Sequence, residues 1–130
     1  MVIGEGSNVQ EHAVLHVETG FPTIIGKEVT IGHGAIINGA TVGDYCIIGM
    51  NSTVVEGAVI GNDCIIGANA VITGNMVIPP RSVVVGVPGR IIKSNDPTAH
   101  ERAKKNAEAY HLLRDEHLQG RYRRSVSERQ

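Results

Sequence analysis

Aliphatic residues recur at close to every sixth position along most of the chain. The pattern runs from Ile3 to Val84, and many of these residues are followed directly by glycine, as in Ile48-Gly49. A period this short is typical of a β-solenoid, in which each hexad forms one short strand and each turn stacks on the last. Three hexads would make one triangular turn. The sequence therefore predicts an all-β solenoid over residues 1–90.

The repeat has two irregular spacings, and both border the same turn. On one face of the triangle, Ile25 follows Ile3 by 22 residues and Val42 follows Ile25 by 17, whereas the later turns take 18. The long spacing contains Thr19-Gly20-Phe21-Pro22, which is expected to bulge outward because proline cannot donate to a strand ladder. The functional site is therefore predicted at this turn.

A helical pattern follows the aliphatic repeat. Residues 91–96 are expected to form a short exit from the coil. Asp96-Pro97 is a helix start signal, and Thr98 offers a competing cap one step later. Apolar residues three and four positions apart then predict a helix over 97–120 that packs on the coil. The polar segment 121–130 is expected to be a flexible tail.

Composition limits the classes of function. Lys and Arg number 12 against 13 Asp and Glu, so no excess of basic charge indicates a nucleic-acid partner. No apolar run approaches the roughly 20 residues that cross a bilayer, and no signal-peptide pattern follows Met1. These features predict a cytoplasmic protein without nucleic-acid or membrane partners. Cys46 and Cys64 fall at the small-residue position of their hexads, which favours packing over chemistry.

The coil register predicts where the six histidines lie. His16 and Asn38 occupy equivalent positions on successive turns, so they are expected about 4.8 Å apart on one face. His33 emerges near a different edge of the triangle. It can meet His16 of a second chain if coils associate as a closed three-fold ring. The residues alone leave open that both are ordinary surface histidines. The remaining histidines, which are predicted to be solvated, are His12, His100, His111 and His117.

Several segments together resemble one known family. They are Ser7-Asn8-Val9-Gln10-Glu11, Leu15-His16, Gly20-Phe21-Pro22-Thr23, Val29-Thr30-Ile31-Gly32-His33, Ile47-Ile48-Gly49-Met50, Glu56-Gly57-Ala58-Val59-Ile60-Gly61 and Val85-Gly86-Val87-Pro88-Gly89. From about Ile3 to Leu118 the chain is similar to γ-class carbonic anhydrases. The resemblance implies a left-handed parallel β-helix of hexapeptide repeats with a C-terminal α-helix. It also implies a homotrimer with three sites at subunit interfaces.

The resemblance further implies a metal centre. In that family three histidines hold zinc, two from one subunit and one from its neighbour, and iron or cobalt are alternative metals. His16 and His33 match two of the ligands. The third position falls on Asn38, where the family pattern reads histidine. Since zinc favours imidazole, thiolate and carboxylate ligands, an amide oxygen implies weaker metal binding.

The same resemblance implies roles for other residues. Gln10 matches a residue that hydrogen-bonds the metal-bound water or bicarbonate, and Tyr110 resembles a helix tyrosine that reaches the site in some relatives. Glu18, in the loop beside His16, is the candidate for the family's proton-shuttle glutamate. Family members carry further coil turns before the segment that matches Ile3, so the open end of this coil is expected to need a cover.

The sequence leaves three functions in competition. The resemblance implies a zinc-dependent lyase that hydrates CO2 reversibly to bicarbonate. Asn38 and the lack of upstream turns favour instead a carbonic-anhydrase-like scaffold or small-molecule binder with little or no turnover. The third candidate is a hexapeptide-repeat acyltransferase that uses a histidine base and acyl-CoA.

Overall fold

The structure, a computed structural model, describes residues 1–121, which form 15 short strands and one helix. The tail predicted over 121–130 lies, apart from Arg121, outside the described residues. In chain order the elements are β1 (Val2–Ile3), β2 (Asn8–Val9), β3 (Val14–His16), β4 (Ile24–Ile25), β5 (Thr30–Ile31), β6 (Ile36–Asn38), β7 (Thr41–Val42), β8 (Ile47–Ile48), β9 (Thr53–Val54), β10 (Val59–Ile60), β11 (Ile65–Ile66), β12 (Val71–Ile72), β13 (Val77–Ile78), β14 (Val83–Val85), β15 (Arg90–Lys93) and α1 (Ala99–Leu118).

From β1 to β14, every third strand belongs to the same sheet, so the coil has three faces. The first face has the order β1-β4-β7-β10-β13, the second runs β2-β5-β8-β11-β14, and the third runs β3-β6-β9-β12. All neighbours within these three runs are parallel. The predicted left-handed parallel β-helix with a C-terminal α-helix is confirmed.

The core is the single column of aliphatic residues that the hexads place inside the coil. Residues such as Ile31, Ile48 and Ile66, which stack on the second face, are fully buried. The inward residues Ile3 and Val9 of the first turn are instead 45% exposed, because no turn within residues 1–121 covers that end of the coil. A coil this narrow is filled by Ile and Val, which explains why a chain with only 3% aromatic residues folds.

The two cysteines are part of this core. Cys46 and Cys64 are fully buried, and their thiols donate to the carbonyl groups of Gly61 and Pro79. A hydrogen bond with Cys64 and burial raise the pKa of the Cys46 thiol well above its ordinary value. Because Cys46 stays protonated and inaccessible, its role is packing.

The chain leaves the coil through a short strand that overlaps the exit segment expected over 91–96. Residues Arg90–Lys93 form β15, which pairs antiparallel with β14 and extends the second face by one strand. The last strand of a solenoid presents unpaired backbone groups, and a chain that reverses direction can satisfy them. β15 therefore closes this edge of the coil.

Helix α1 lies on the second face. Ala99, Ala103 and Ala107 are buried there. His100 and His111, which were predicted to be solvated, keep 42% and 27% of their side chains exposed, and each also contacts a carboxylate. His100 Nδ1 is 2.6 Å from an Asp63 carboxylate oxygen, and His111 Nε2 is 2.6 Å from one of Glu28. These histidines attach the helix to corners of the coil. In the described part of the chain, no helix has the length and apolar character to cross a membrane.

The helix begins after Thr98, which occupies the N-cap position. The Asp96 carboxylate accepts hydrogen bonds from both the backbone N–H and the hydroxyl of Thr98. These two bonds, the backbone one first, hold the pKa of Asp96 below its ordinary value. Asp96 thus fixes the turn that leads into α1 without being its N-cap.

Candidate functional site

His16 and Asn38 lie side by side where two strands of the third face end. β3 and β6 are both three residues long and pair in register, with His16 opposite Asn38. The His16 Nδ1–H donates to Asn38 Oδ1 over 3.0 Å. The structure thus places these two residues at the register that the hexads predict. We call this position, His16 with Asn38, the third-face edge.

A buried threonine fixes the backbone beneath this pair. The Thr23 hydroxyl donates to the carbonyl of His16 and accepts a hydrogen bond from the Gly39 backbone N–H, 2.8 Å away. Gly39 has a φ of 64°, and a Cβ there would lie 2.8 Å from the Phe21 Cβ. The one-residue deletion in the repeat is therefore accommodated by a glycine packed against the inserted loop. Sequence reasoning missed Thr23, since nothing in the repeat marks its hydroxyl as buried.

The inserted loop forms a tight reversal beside His16. Glu18 and Phe21 exchange backbone hydrogen bonds of 3.3 and 2.9 Å, and Gly20 between them has a φ of 78°. The bulge predicted for this segment is therefore an ordered turn. It brings Glu18 Oε2 to 3.8 Å from His16 Nδ1.

Gln10 and Tyr110 lie at a different edge, between the second and third faces. Together with Gly32 and Asn106 they line a cleft of about 170 Å³ between α1 and the coil. The Asn106 amide donates to Thr30 Oγ1 over 2.6 Å. The amide of Asn8 donates to the same hydroxyl oxygen, and Gln10 Nε2 donates to Asn8 Oδ1. We call this position the second-face edge.

Asn106 is a contributor that the sequence did not reveal. Its contact with Thr30 depends on how α1 lies on the coil, which the hexad register does not fix. The hydrogen-bond chain links the helix to Gln10 through Asn8. The orientation of Gln10 is therefore coupled to the docking of α1.

His33 directly follows Gly32 at the second-face edge. Its Nδ1 lies 2.9 Å from Glu11 Oε2, so Glu11 holds one ring nitrogen and leaves Nε2 available to a ligand. The pKa of the Glu11 carboxyl is held below its ordinary value, first by a hydrogen bond with the Glu11 backbone and then by the neighbouring His33. Glu11, the partner of His33, is a further residue of the site that was not singled out from the sequence.

The two edges are separated by the width of the third face. In residues 1–121 of one chain, no three or more His, Cys, Asp and Glu side chains are grouped so that they could hold a metal ion. Within the described part of one chain, His16 and His33 therefore lie at separate edges. The imidazoles of His16 and His33 suit zinc, whereas the Asn38 amide oxygen suits it less well.

A family match agrees with the repeat. The family described as Bacterial transferase hexapeptide (six repeats) matches residues 22–54 and 39–74. Among solved structures, a hexapeptide transferase family protein from Anaplasma phagocytophilum superposes with a TM-score of 0.79 at 31% identity. That similarity covers 85% of this chain and 65% of the other.

Two curated relatives carry carbonic anhydrase names. A probable carbonic anhydrase from Methanocaldococcus jannaschii is 53% identical over 110 residues, which are 85% of this chain and 69% of that protein. Gamma carbonic anhydrase 1, mitochondrial, from Arabidopsis thaliana is 33% identical over 97 residues. The chain spans only 35% of the length of the Arabidopsis protein.

Proposed function

Because the chain belongs to the γ-class carbonic anhydrase family of hexapeptide-repeat proteins, we propose that it forms a homotrimer with metal sites between subunits. At these sites it would hydrate CO2 reversibly to bicarbonate. The observation that carries the proposal is the division of the site into two half-sites. His16 with Asn38 lies at one edge of the coil. His33, which contacts Glu11 and follows Gly32 of the cleft that Gln10 lines, lies at another. Each half-site needs the complementary edge of a second chain.

Uncovered apolar faces support the trimer. α1 covers the second face, whereas the first face presents a column of outward residues that include Ile24 (39% exposed), Val59 (42%) and Val77 (69%). The third face presents Val14 and Ile36, which are 49% and 41% exposed. Exposed apolar surface of this extent marks interaction sites. Two such faces on each chain suit a closed ring with repeated head-to-tail contacts.

The residues have distinct tasks in the proposed reaction. Zinc, when bound, would supply the Lewis acidity that lowers the pKa of its bound water to about 7 in carbonic anhydrases. His16 of one chain and His33 of the next would hold the ion, and Glu11 would orient His33. The Gln10 amide lies in the cleft beside Tyr110, where its N–H can donate to an oxygen of bicarbonate.

Asn38 favours a second candidate, a carbonic-anhydrase-like protein that keeps the trimer and a weak metal site but turns over slowly or not at all. Its amide oxygen already accepts the His16 Nδ1–H, so the pair is satisfied without an ion. An acyltransferase is a third candidate, favoured by the similarity to the Anaplasma hexapeptide transferase family protein. Failure to bind acetyl-CoA at millimolar concentration would remove it.

The first prediction concerns assembly. Replacing Val59 with Asp places a charge in the middle of the first-face column, and we expect the trimer to dissociate to single chains because a buried unpaired charge is costly. Light scattering should show the mass falling to one third. Leu112→Asp, on α1 at 63% exposure, is the matched control and should remain trimeric. If the parent protein is itself a single chain, the interface site is excluded.

The second prediction concerns the shared site. Stopped-flow CO2 hydration should fall at least tenfold in His33→Ala and in His16→Ala, but not in the control His12→Ala. Trimers reassembled from equal amounts of the His33→Ala and His16→Ala chains should recover activity at about one quarter of their sites. This recovery follows because random mixing pairs one intact His16 with one intact His33 at that frequency. A mixture as inactive as its parts would show that the two histidines do not serve one site.

A further inference from the structure

A buried hydroxyl group accepts hydrogen bonds from two side-chain amides beneath α1. Thr30, on β5, is only 4% exposed. Its Oγ1 accepts from Asn106 Nδ2 of α1 over 2.6 Å and from Asn8 Nδ2 of β2 over 3.0 Å. A hydroxyl oxygen has two acceptor positions, so the two amides use both. Thr30 is therefore held in one side-chain rotamer, with Oγ1 between the helix and the neighbouring strand.

These bonds determine which way the next amide faces. Because Asn8 turns its Nδ2 to Thr30, the atom that it offers to Gln10 is Oδ1, which can only accept. Gln10 donates to this oxygen from Nε2 over 3.3 Å. The opposite flip of Gln10 would bring two acceptor oxygens together and lose the hydrogen bond. The amide of Gln10 thus keeps Nε2 toward Asn8, and its Oε1 and second N–H remain for a ligand.

The helix takes part in this arrangement through Asn106. Asn106 is half-buried and lies between Ala103 and Ala107, whose side chains are buried where α1 packs on the coil. The same helical turn that makes the apolar contact therefore carries the amide to Thr30. Without this amide, the Thr30 hydroxyl would be restrained by one side chain instead of two.

We propose that Thr30 and Asn106 are positioning residues for Gln10, which they hold in one amide orientation through Asn8. In this orientation Gln10 offers both an acceptor and a donor in the cleft beside Tyr110, and bicarbonate carries both a hydroxyl group and acceptor oxygens. The inference rests on the proposed function for its catalytic consequence. It deepens that function by assigning the residues that select the orientation of Gln10. The orientation itself requires neither a metal nor a second chain.

The side-chain amide signals of Gln10 test the positioning without reference to activity. In the metal-free full-length protein, ¹⁵N NMR separates the two Nε2 protons, which are assigned by their loss in Gln10→Glu. The proton bonded to Asn8 should exchange with water about fivefold faster in Thr30→Val, the factor expected for one net hydrogen bond, because Asn8 can then turn either end to Gln10. Thr30→Ser keeps the hydroxyl and should exchange within about twofold of the parent. Thr73→Val alters an exposed threonine and is the matched control, with no expected change.

A second variant separates positioning from a loss of packing. Asn106→Leu removes the helix amide but keeps a side chain of similar size, and we expect about threefold faster exchange of the same Gln10 proton. Lys105→Leu, at the exposed neighbouring position, should leave that rate unchanged. Unaltered backbone amide signals of Ala103 and Ala107 would verify that α1 stays docked in both variants.

Stopped-flow CO2 hydration connects the orientation of Gln10 with function. We expect kcat/KM to fall about fivefold in Thr30→Val and to be restored in Thr30→Ser. Unchanged Gln10 signals in both Thr30→Val and Asn106→Leu would overturn the inference and leave the proposed function standing. Altered signals with unaltered kcat/KM in an active enzyme would also overturn it, since a positioning residue must affect the reaction. Altered signals in a parent that does not hydrate CO2 would support the orientation of Gln10 and refute the enzymatic function.

Discussion

Replacing Asn38 with histidine should raise the affinity of the assembled protein for zinc by about 100-fold, which corresponds to about 2.7 kcal/mol. The side chain at position 38 is already adjacent to His16 and emerges from a strand in register with it. An imidazole there adds a nitrogen ligand of the type that zinc prefers, in place of a neutral amide oxygen. Because Thr23 and Gly39 fix the local backbone, the new side chain is introduced onto a rigid support.

Competition with a zinc chelator would measure the change, and stopped-flow CO2 hydration would show whether turnover follows affinity. Asn69→His adds an imidazole on an exposed corner of the coil and serves as the matched control, with no expected gain. The gain in zinc affinity from Asn38→His should be smaller when His33 is also replaced by Ala, because three imidazoles then no longer meet at one site. A rise of less than threefold would mean that Asn38 does not limit metal binding.

The register of the site could be predicted from the sequence because the hexad repeat sets which residues face inward and which strands are neighbours. Once Leu15 and Ile37 are assigned inward positions on the same face, His16 and Asn38 must be adjacent, and the structure pairs them so. The same counting located the insertion and the deletion beside one turn. It also placed His33 at another edge, and in the structure His33 follows Gly32, which lines the cleft together with Gln10 and Tyr110.

What the repeat did not reveal are contacts made outside the strand ladder. The bond from Asn106 to Thr30 depends on the docking of α1. That docking combines the buried alanines with two histidine–carboxylate contacts that the apolar spacing does not predict. β15 likewise arises from a chain reversal after the last hexad. Side-chain partners such as Glu11 for His33 come from corner geometry, which a period of six residues leaves undetermined.

The inward-facing aliphatic residues of the coil stabilise the strands that carry these positions. Ile48→Ala should show their contribution to stability most clearly. Ile48 is fully buried at mid-coil, stacked between Ile31 and Ile66. We expect a loss of about 3–4 kcal/mol in the free energy of unfolding, toward the upper part of the range for buried Ile-to-Ala changes. The strand ladders above and below hold the coil walls apart, so the walls cannot collapse onto the cavity.

Chemical denaturation of the metal-free protein, at one fixed protein concentration, would measure this loss without contributions from ligand binding or changing assembly. Ile92→Ala is the matched control, because Ile92 lies on β15 and is 57% exposed; it should cost less than about 1 kcal/mol. Similar losses for the two variants would mean that the coil interior relaxes around a cavity. The rigid support assumed for His16 and Asn38 would then also be in doubt, since both side chains project from strands that the same column holds in register.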